Sequence, residues 1–171
     1  MASLIDDLIS TLEDENEIYK ELMVLSETKT PVIVKGDLEE LQNITEKEQQ
    51  FVEVLTKLEK KRIEVVGDIA LVLGKDEKDM TIKNIVGLLN GQEKEQKRLS
   101  EIHDKLKVTL GNISRVNDIN RNLIESSMEM IEFNLNLYKG MYQMPDTGNY
   151  NKNAYNTEAN INYGGVFDAK N

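Results

Sequence analysis

The sequence predicts an all-α protein: an elongated antiparallel helical bundle or coiled coil of three long helices plus a short one, with a disordered C-terminal tail. Three observations carry this expectation. Apolar residues recur at three- and four-residue spacing through most of the first 140 positions. Only two prolines, Pro31 and Pro145, interrupt a chain rich in Leu, Glu, Lys, Ile and Asn. After Gly140 the periodicity gives way to MYQMPDTGNYNKNAYNTEANINYGGVFDAKN, rich in Asn, Gly and Tyr, which cannot bury a core. The domain reading is a helical bundle over 1–140 and a flexible tail over 141–171.

The first helix is expected over about 3–29. Leu4, Leu8, Thr11, Glu15, Ile18, Leu22 and Leu25 form its seam, widened by Ile5, Leu12 and Tyr19. Ser3 followed by Asp6 resembles an N-terminal cap. Pro31 lacks a backbone donor and disfavours helical geometry at Thr30, so the helix should stop or kink there. Pro31-Val32-Ile33-Val34 then reads as a connection or a distorted helical turn.

The second helix, 37–73, starts at Asp37 with Glu40 three residues later, a capping box, and stops at Gly74. Its seam runs Leu41, Ile44, Glu48, Phe51, Leu55, Leu58, Arg62, Val65, Ile69 and Val72. A charged loop, KDEKD, precedes a short helix over 81–89 that begins on Thr81, and Asn90-Gly91 marks a turn. The last and longest helix, 92–140, is read in heptads. Its a positions are Leu99, Leu106, Ile113, Asn120, Ser127 and Asn134; its d positions are Ile102, Thr109, Val116, Leu123, Met130 and Leu137. Leu110, Ile124, Ile131 and Tyr138 stand at e. The apolar stripe therefore broadens toward d and e after residue 116, beyond what a helical hairpin needs.

Composition removes several function classes. With no cysteine there is no disulfide framework, thiol nucleophile or zinc knuckle. The N-terminus is acidic where a secretory signal is basic, and the longest apolar run, Ile69 to Leu73, is far short of the roughly 20 residues of a membrane helix. The expectation is a cytoplasmic protein without stable membrane insertion. The net charge is −10, and residues 1–30 carry eight acids against two lysines, so a nucleic-acid backbone would be repelled. The lone histidine, His103, has Ser100 three residues before it, not the Glu that a carboxylate-bridged metal bundle needs. Phosphate-binding glycine motifs are absent, and paired acids such as Glu39-Glu40 read as solvated surface. Neither an enzyme nor a cofactor is expected.

Polar residues at seam positions are more informative. Glu15, Glu48, Arg62 and Asn120 stand where an apolar residue would pack better, either fixing register inside the bundle or contacting a partner. Glu48 and Arg62 are about 21 Å apart along one helix and must find partners elsewhere. Four of the seven methionines fall within 128–144 and five of the six tyrosines at 138 or later. Methionine adapts to irregular apolar partners and tyrosine offers large contact area at low entropy cost.

These features resemble the FlgN-type flagellar export chaperones over roughly residues 4–140. The likeness runs from Glu15-x-x-x-Tyr19-x-x-Leu22 through V-K-G-D-L-E-E-L at 34–41, Glu48-Gln49 and Leu58-Glu59-x-x-Arg62. It ends in Val116-Asn117-x-x-Asn120-x-x-Leu123-Ile124, its most distinctive element. The resemblance implies a type III secretion chaperone of the cytoplasm. Such a protein holds the C-terminal helical segments of hook–filament junction proteins, prevents premature assembly and delivers them to the export gate. The implied client-binding residues are Val116, Asn117, Asn120, Leu123, Ile124, Ser127, Met128, Met130, Ile131 and Leu135, receiving a helix in a groove. Tyr142, Tyr150, Tyr155 and Tyr163 are the implied contacts of the tail with the export gate. The protein is expected as a monomer or homodimer. The rival reading is a dimeric coiled-coil structural or adaptor protein without chaperone activity.

Overall fold

The computed structural model describes residues 2–89 and 91–142. They are helical throughout apart from turns: α1 (Ala2–Lys35), α2 (Leu38–Leu73), a 3-10 turn (Glu77–Asp79), α3 (Ile82–Leu88) and α4 (Glu93–Tyr142). No strand occurs among the described residues. The chain divides into two units, Met1–Ile131 and Glu132–Asn171. The second is described only over 132–142, where it is helical.

Within the first unit the long helices run up, down and up. Glu15 meets Arg62 and Lys29 meets Glu48, so α1 and α2 are antiparallel. Asp6 meets Arg98, Asn16 meets Thr109 and Ser26 meets Asn120, so α4 runs parallel to α1. The densest core gathers at one end. Ile5, Leu8, Ile9 and Leu12 of α1 pack there with Ile69 and Ala70, Met80, Ile85 and Leu89, and Leu99, Ile102 and Leu106 of α4. Toward the other end the buried apolar side chains thin to Ile33, Ile44, Ile113 and Val116.

Helix ends follow the sequence in part. Asp37 Oδ1 accepts from the Glu40 amide at 3.1 Å and caps α2; the Glu40 carboxylate, however, accepts from Asn43 at 3.3 Å. Thr81 caps α3 through the Asn84 amide at 3.2 Å. Gly74 adopts φ 62 and closes α2 with paired bonds, its amide to Leu71 and that of Lys75 to Ala70. Ser3 is not a cap, since α1 already includes Ala2. KDEKD is partly ordered, as Asp76 caps the 3-10 turn. Val72 is 55% exposed, and Leu73 packs against the core in its place.

The largest correction concerns Pro31. α1 neither stops at residue 29 nor yields to a connection over 31–34; it continues as α-helix to Lys35. Pro31 lies on the exposed side, and so does Glu27, whose carbonyl loses its helical donor and can turn to water instead. Beyond it Ile33 is buried at 5% exposure, which rewards another turn of helix. The actual stop is Gly36 at φ 69. Its amide bonds Ile33 and the Asp37 amide bonds Val32, the same double closure as at Gly74.

Candidate functional site

The seam of α4 is buried from Leu99 to Asn120 and then opens. Leu99, Ile102, Leu106, Thr109, Ile113, Val116 and Asn120 all face inward. Asn120 is 4% exposed and fully engaged: its Nδ2 donates to the Ser26 carbonyl at 2.8 Å, and its Oδ1 accepts from the Thr30 hydroxyl at 2.7 Å. Thr109 makes a similar link, donating to Asn16 Oδ1 at 3.1 Å. Val116 and Asn120, two of the ten residues expected to meet a partner, are thus interior residues, and Asn120 joins α4 to α1.

The other polar seam residues also find partners inside the bundle. Lys29 and Glu48 pair at 2.7 Å, and Arg62 donates to Glu15 at 3.0 Å. Burial lifts the Glu15 carboxyl above its ordinary 4.5, while the charge and hydrogen bond of Arg62 pull it back part of the way. Neighbouring Tyr19 is raised above 10.0, first by burial and then by the negative charge of Glu15.

Beside this seam, two hollows lie between α2 and α4 with α1 at their base. One, with a volume of about 460 Å³, is lined by Leu22, Ser26 and Lys29 of α1, Glu48 and Val52 of α2, and Asn117, Asn120, Arg121, Ile124 and Glu125 of α4. A second, of about 310 Å³, lies between Leu12, Glu15 and Tyr19 of α1, Arg62 of α2, Ile82 of α3, and His103, Leu106, Lys107 and Leu110 of α4. Asn117 and Ile124 line the first hollow beside Glu48, whose polar seam position the sequence showed, and Ser26, Lys29 and Val52, which it did not single out. A signal for the α4 wall was present. Leu110, Ser114, Asn117, Arg121, Ile124, Met128 and Ile131 alternate at four- and three-residue spacing on one flank of the helix.

Past Asn120 the α4 side chains emerge. Leu123 and Ile124 are half-buried; Ser127 is exposed and its hydroxyl donates to the Leu123 carbonyl at 2.8 Å. Met128, Met130 and Ile131 are exposed by 58%, 66% and 57%. Leu123 and Met130, and beside them Ile124 and Ile131, stand seven residues apart on adjoining stripes, with Met128 on the outer flank, an apolar surface of the kind that accepts a helix. In the second unit, Leu135 is likewise exposed, as are Phe133, Leu137 and Met141. There Tyr138 and Tyr142 pack with ring centroids 4.9 Å apart and planes tilted by 47°, and share a hydrogen bond of 3.2 Å, which raises the Tyr138 phenol. Tyr150, Tyr155 and Tyr163 lie outside the described residues. Among the described residues no three His, Cys, Asp or Glu side chains converge as metal ligands, and no helix is long and apolar enough to cross a membrane.

Comparison with known proteins adds an independent line. The profile of the FlgN protein family matches residues 1–158. YvyG of Bacillus subtilis (strain 168), described as an uncharacterized protein, is 30% identical over 134 residues, which cover 78% of this chain and 77% of that one. No solved structure matches the chain.

Proposed function

Because this chain belongs to the FlgN family, a family of flagellar export chaperones, we propose that it binds the C-terminal helical segments of hook–filament junction proteins in the cytoplasm. It keeps them from assembling early and delivers them to the type III export gate. The observation that supports this reading best is the emergence of Met128, Met130 and Ile131 from α4 just beyond the last buried seam residue, Asn120. A client helix lays its apolar face on these side chains and on Leu123 and Ile124, with Asn117 and Ser127 at the edge. Leu135, exposed in the second unit, offers a further apolar contact. Val116 and Asn120 act from within, Asn120 by holding α4 against α1. Tyr142 and the tail tyrosines Tyr150, Tyr155 and Tyr163 are the proposed contacts with the gate. Affinity here comes from apolar burial on a partner helix, with no nucleotide required.

Titration calorimetry of the purified protein against C-terminal segments of junction proteins from the same organism tests the reading. Saturable binding is expected, and Met130→Asp or Ile131→Asp should abolish it while circular dichroism stays helical. If the intact folded protein binds no such segment, the dimeric adaptor reading takes its place.

A further inference from the structure

The two hollows between α2 and α4 lie in succession along one row of α1 residues. Taken as one trough, they have for a floor Leu12, Glu15, Tyr19, Leu22, Ser26 and Lys29, at the three- and four-residue spacing by which helices pack. The row spans eighteen positions, about 25 Å at 1.5 Å per residue. Its walls carry apolar side chains that nothing among the described residues covers: Val52 on α2 is 45% exposed and Leu110 on α4 43%. The floor also holds an unmet polar group, since Ser26 Oγ is buried without a hydrogen-bond partner among the described residues.

Charge narrows the occupant. The chain carries −10, yet the trough does not share that excess. Its carboxylates are already paired: Glu48 with Lys29 at 2.7 Å, Glu15 with Arg62 at 3.0 Å and Glu125 with Arg121 at 3.5 Å. Lys107, on the α4 wall, has no ion pair with any described residue. A basic segment would find no free carboxylate here and one free ammonium. A helix with an apolar face and a carboxylate on one flank would find the match.

We propose that the trough seats an amphipathic client helix of about eighteen residues, with its apolar stripe over α1 and an acidic flank against Lys107. The proposal rests on the chaperone reading and extends it. The client is gripped by three helices rather than by the exposed face of α4 alone, and α1 and α2 take part in choosing it. Docked there, the client helix completes a four-helix bundle.

The test uses the full chain and a synthetic peptide of the C-terminal helical segment of a junction protein from the same organism. Val52→Glu and Leu110→Glu are each expected to weaken binding by at least about tenfold, and Lys107→Glu by about threefold at low salt. All three sites are exposed, so folding, followed by circular dichroism and thermal unfolding, should not change. A second readout avoids charge substitution. The chain has no cysteine, so Val52→Cys takes a single environment-sensitive dye, whose emission should shift to the blue when peptide is added. Peptide binding that is lost in Met130→Asp but unchanged in the three trough variants, with no dye shift, overturns the proposal and leaves the chaperone reading intact. Absence of binding by the wild-type chain overturns both. A wild-type dimer that Val52→Glu and Leu110→Glu convert to monomers in sedimentation would make the trough a self-association surface, and would also overturn it.

Discussion

Arg62 of α2 reaches across to α1 and donates from Nε to Glu15 Oε1 at 3.0 Å, with the Glu15 side chain 7% exposed and that of Arg62 31%. Both occupy seam positions where apolar residues would pack. Together with Lys29 and Glu48, four turns further along α1, the pair fixes which turn of α2 faces which turn of α1. A slide of either helix by one turn would strand a buried carboxylate, so these contacts set register even where they add little net stability.

Removing one partner should therefore cost more than removing both. Arg62→Ala leaves the Glu15 carboxylate buried beside no cation and is expected to lower stability in urea unfolding by about 2 kcal/mol, less than a fully buried pair because Arg62 is partly hydrated. The double variant Glu15→Leu, Arg62→Leu is expected within about 1 kcal/mol of wild type. A double variant as unstable as Arg62→Ala alone would show that the ion pair itself, and not the orphaned charge, carries the energy.

The same pair gives the fold a pH signature. Burial holds the native Glu15 carboxyl above its ordinary 4.5, with Arg62 opposing it. The native state therefore binds this proton more tightly than the unfolded chain does. The contribution of Glu15 is fully present below its unfolded value and is lost as pH rises through the higher native one. Stability of wild type relative to Glu15→Gln should accordingly grow as pH is lowered from 7 toward about 4.5, then level off. A relative stability that falls over that window would mean that Arg62 outweighs burial.

Pro31 and Gly36 show where local sequence rules competed. Pro31→Ala restores a helical donor for the Glu27 carbonyl and should stabilise the protein by about 1–2 kcal/mol, after allowing for the freer unfolded chain. Gly36→Ala places a Cβ at φ 69 and should cost about 1 kcal/mol. Thermal unfolding of the two variants checks both. Opposite signs would restate the fold's own choice, in which Gly36 ends α1 and Pro31 is carried through.

Much of the bundle was legible because it depends on local pattern. The buried row of α4 from Leu99 to Val116 follows directly from the heptads, and Thr81 and Gly74 act as sequence punctuation implies. Pro31 misled because its cost is local, whereas the burial of Ile33 that offsets it is tertiary. The partners of Glu15, Glu48 and Asn120 were not legible either. Each is a contact between segments 19 to 94 residues apart, and heptad assignment within one helix says nothing of the offset between two. For the same reason the apolar exit of α4 at Met128 to Ile131 could be read in the sequence, but the trough beside Val52 and Leu110 could not.

That exit gives the last expectation. Met128, Met130 and Ile131 are all more than half exposed, so they contribute apolar surface without contributing to the packed core. Replacing all three by glutamine keeps good helix formers on α4 while removing the surface. The melting temperature should move by no more than about 6 °C, since exposed substitutions away from caps and networks change stability by at most about 0.5 kcal/mol each. Binding of an apolar dye such as anilinonaphthalene sulfonate should fall, and helical content should hold. A drop of more than about 10 °C would show that these residues are packed in the free protein, against a second copy or another part of the chain, and that a client would first have to displace that contact.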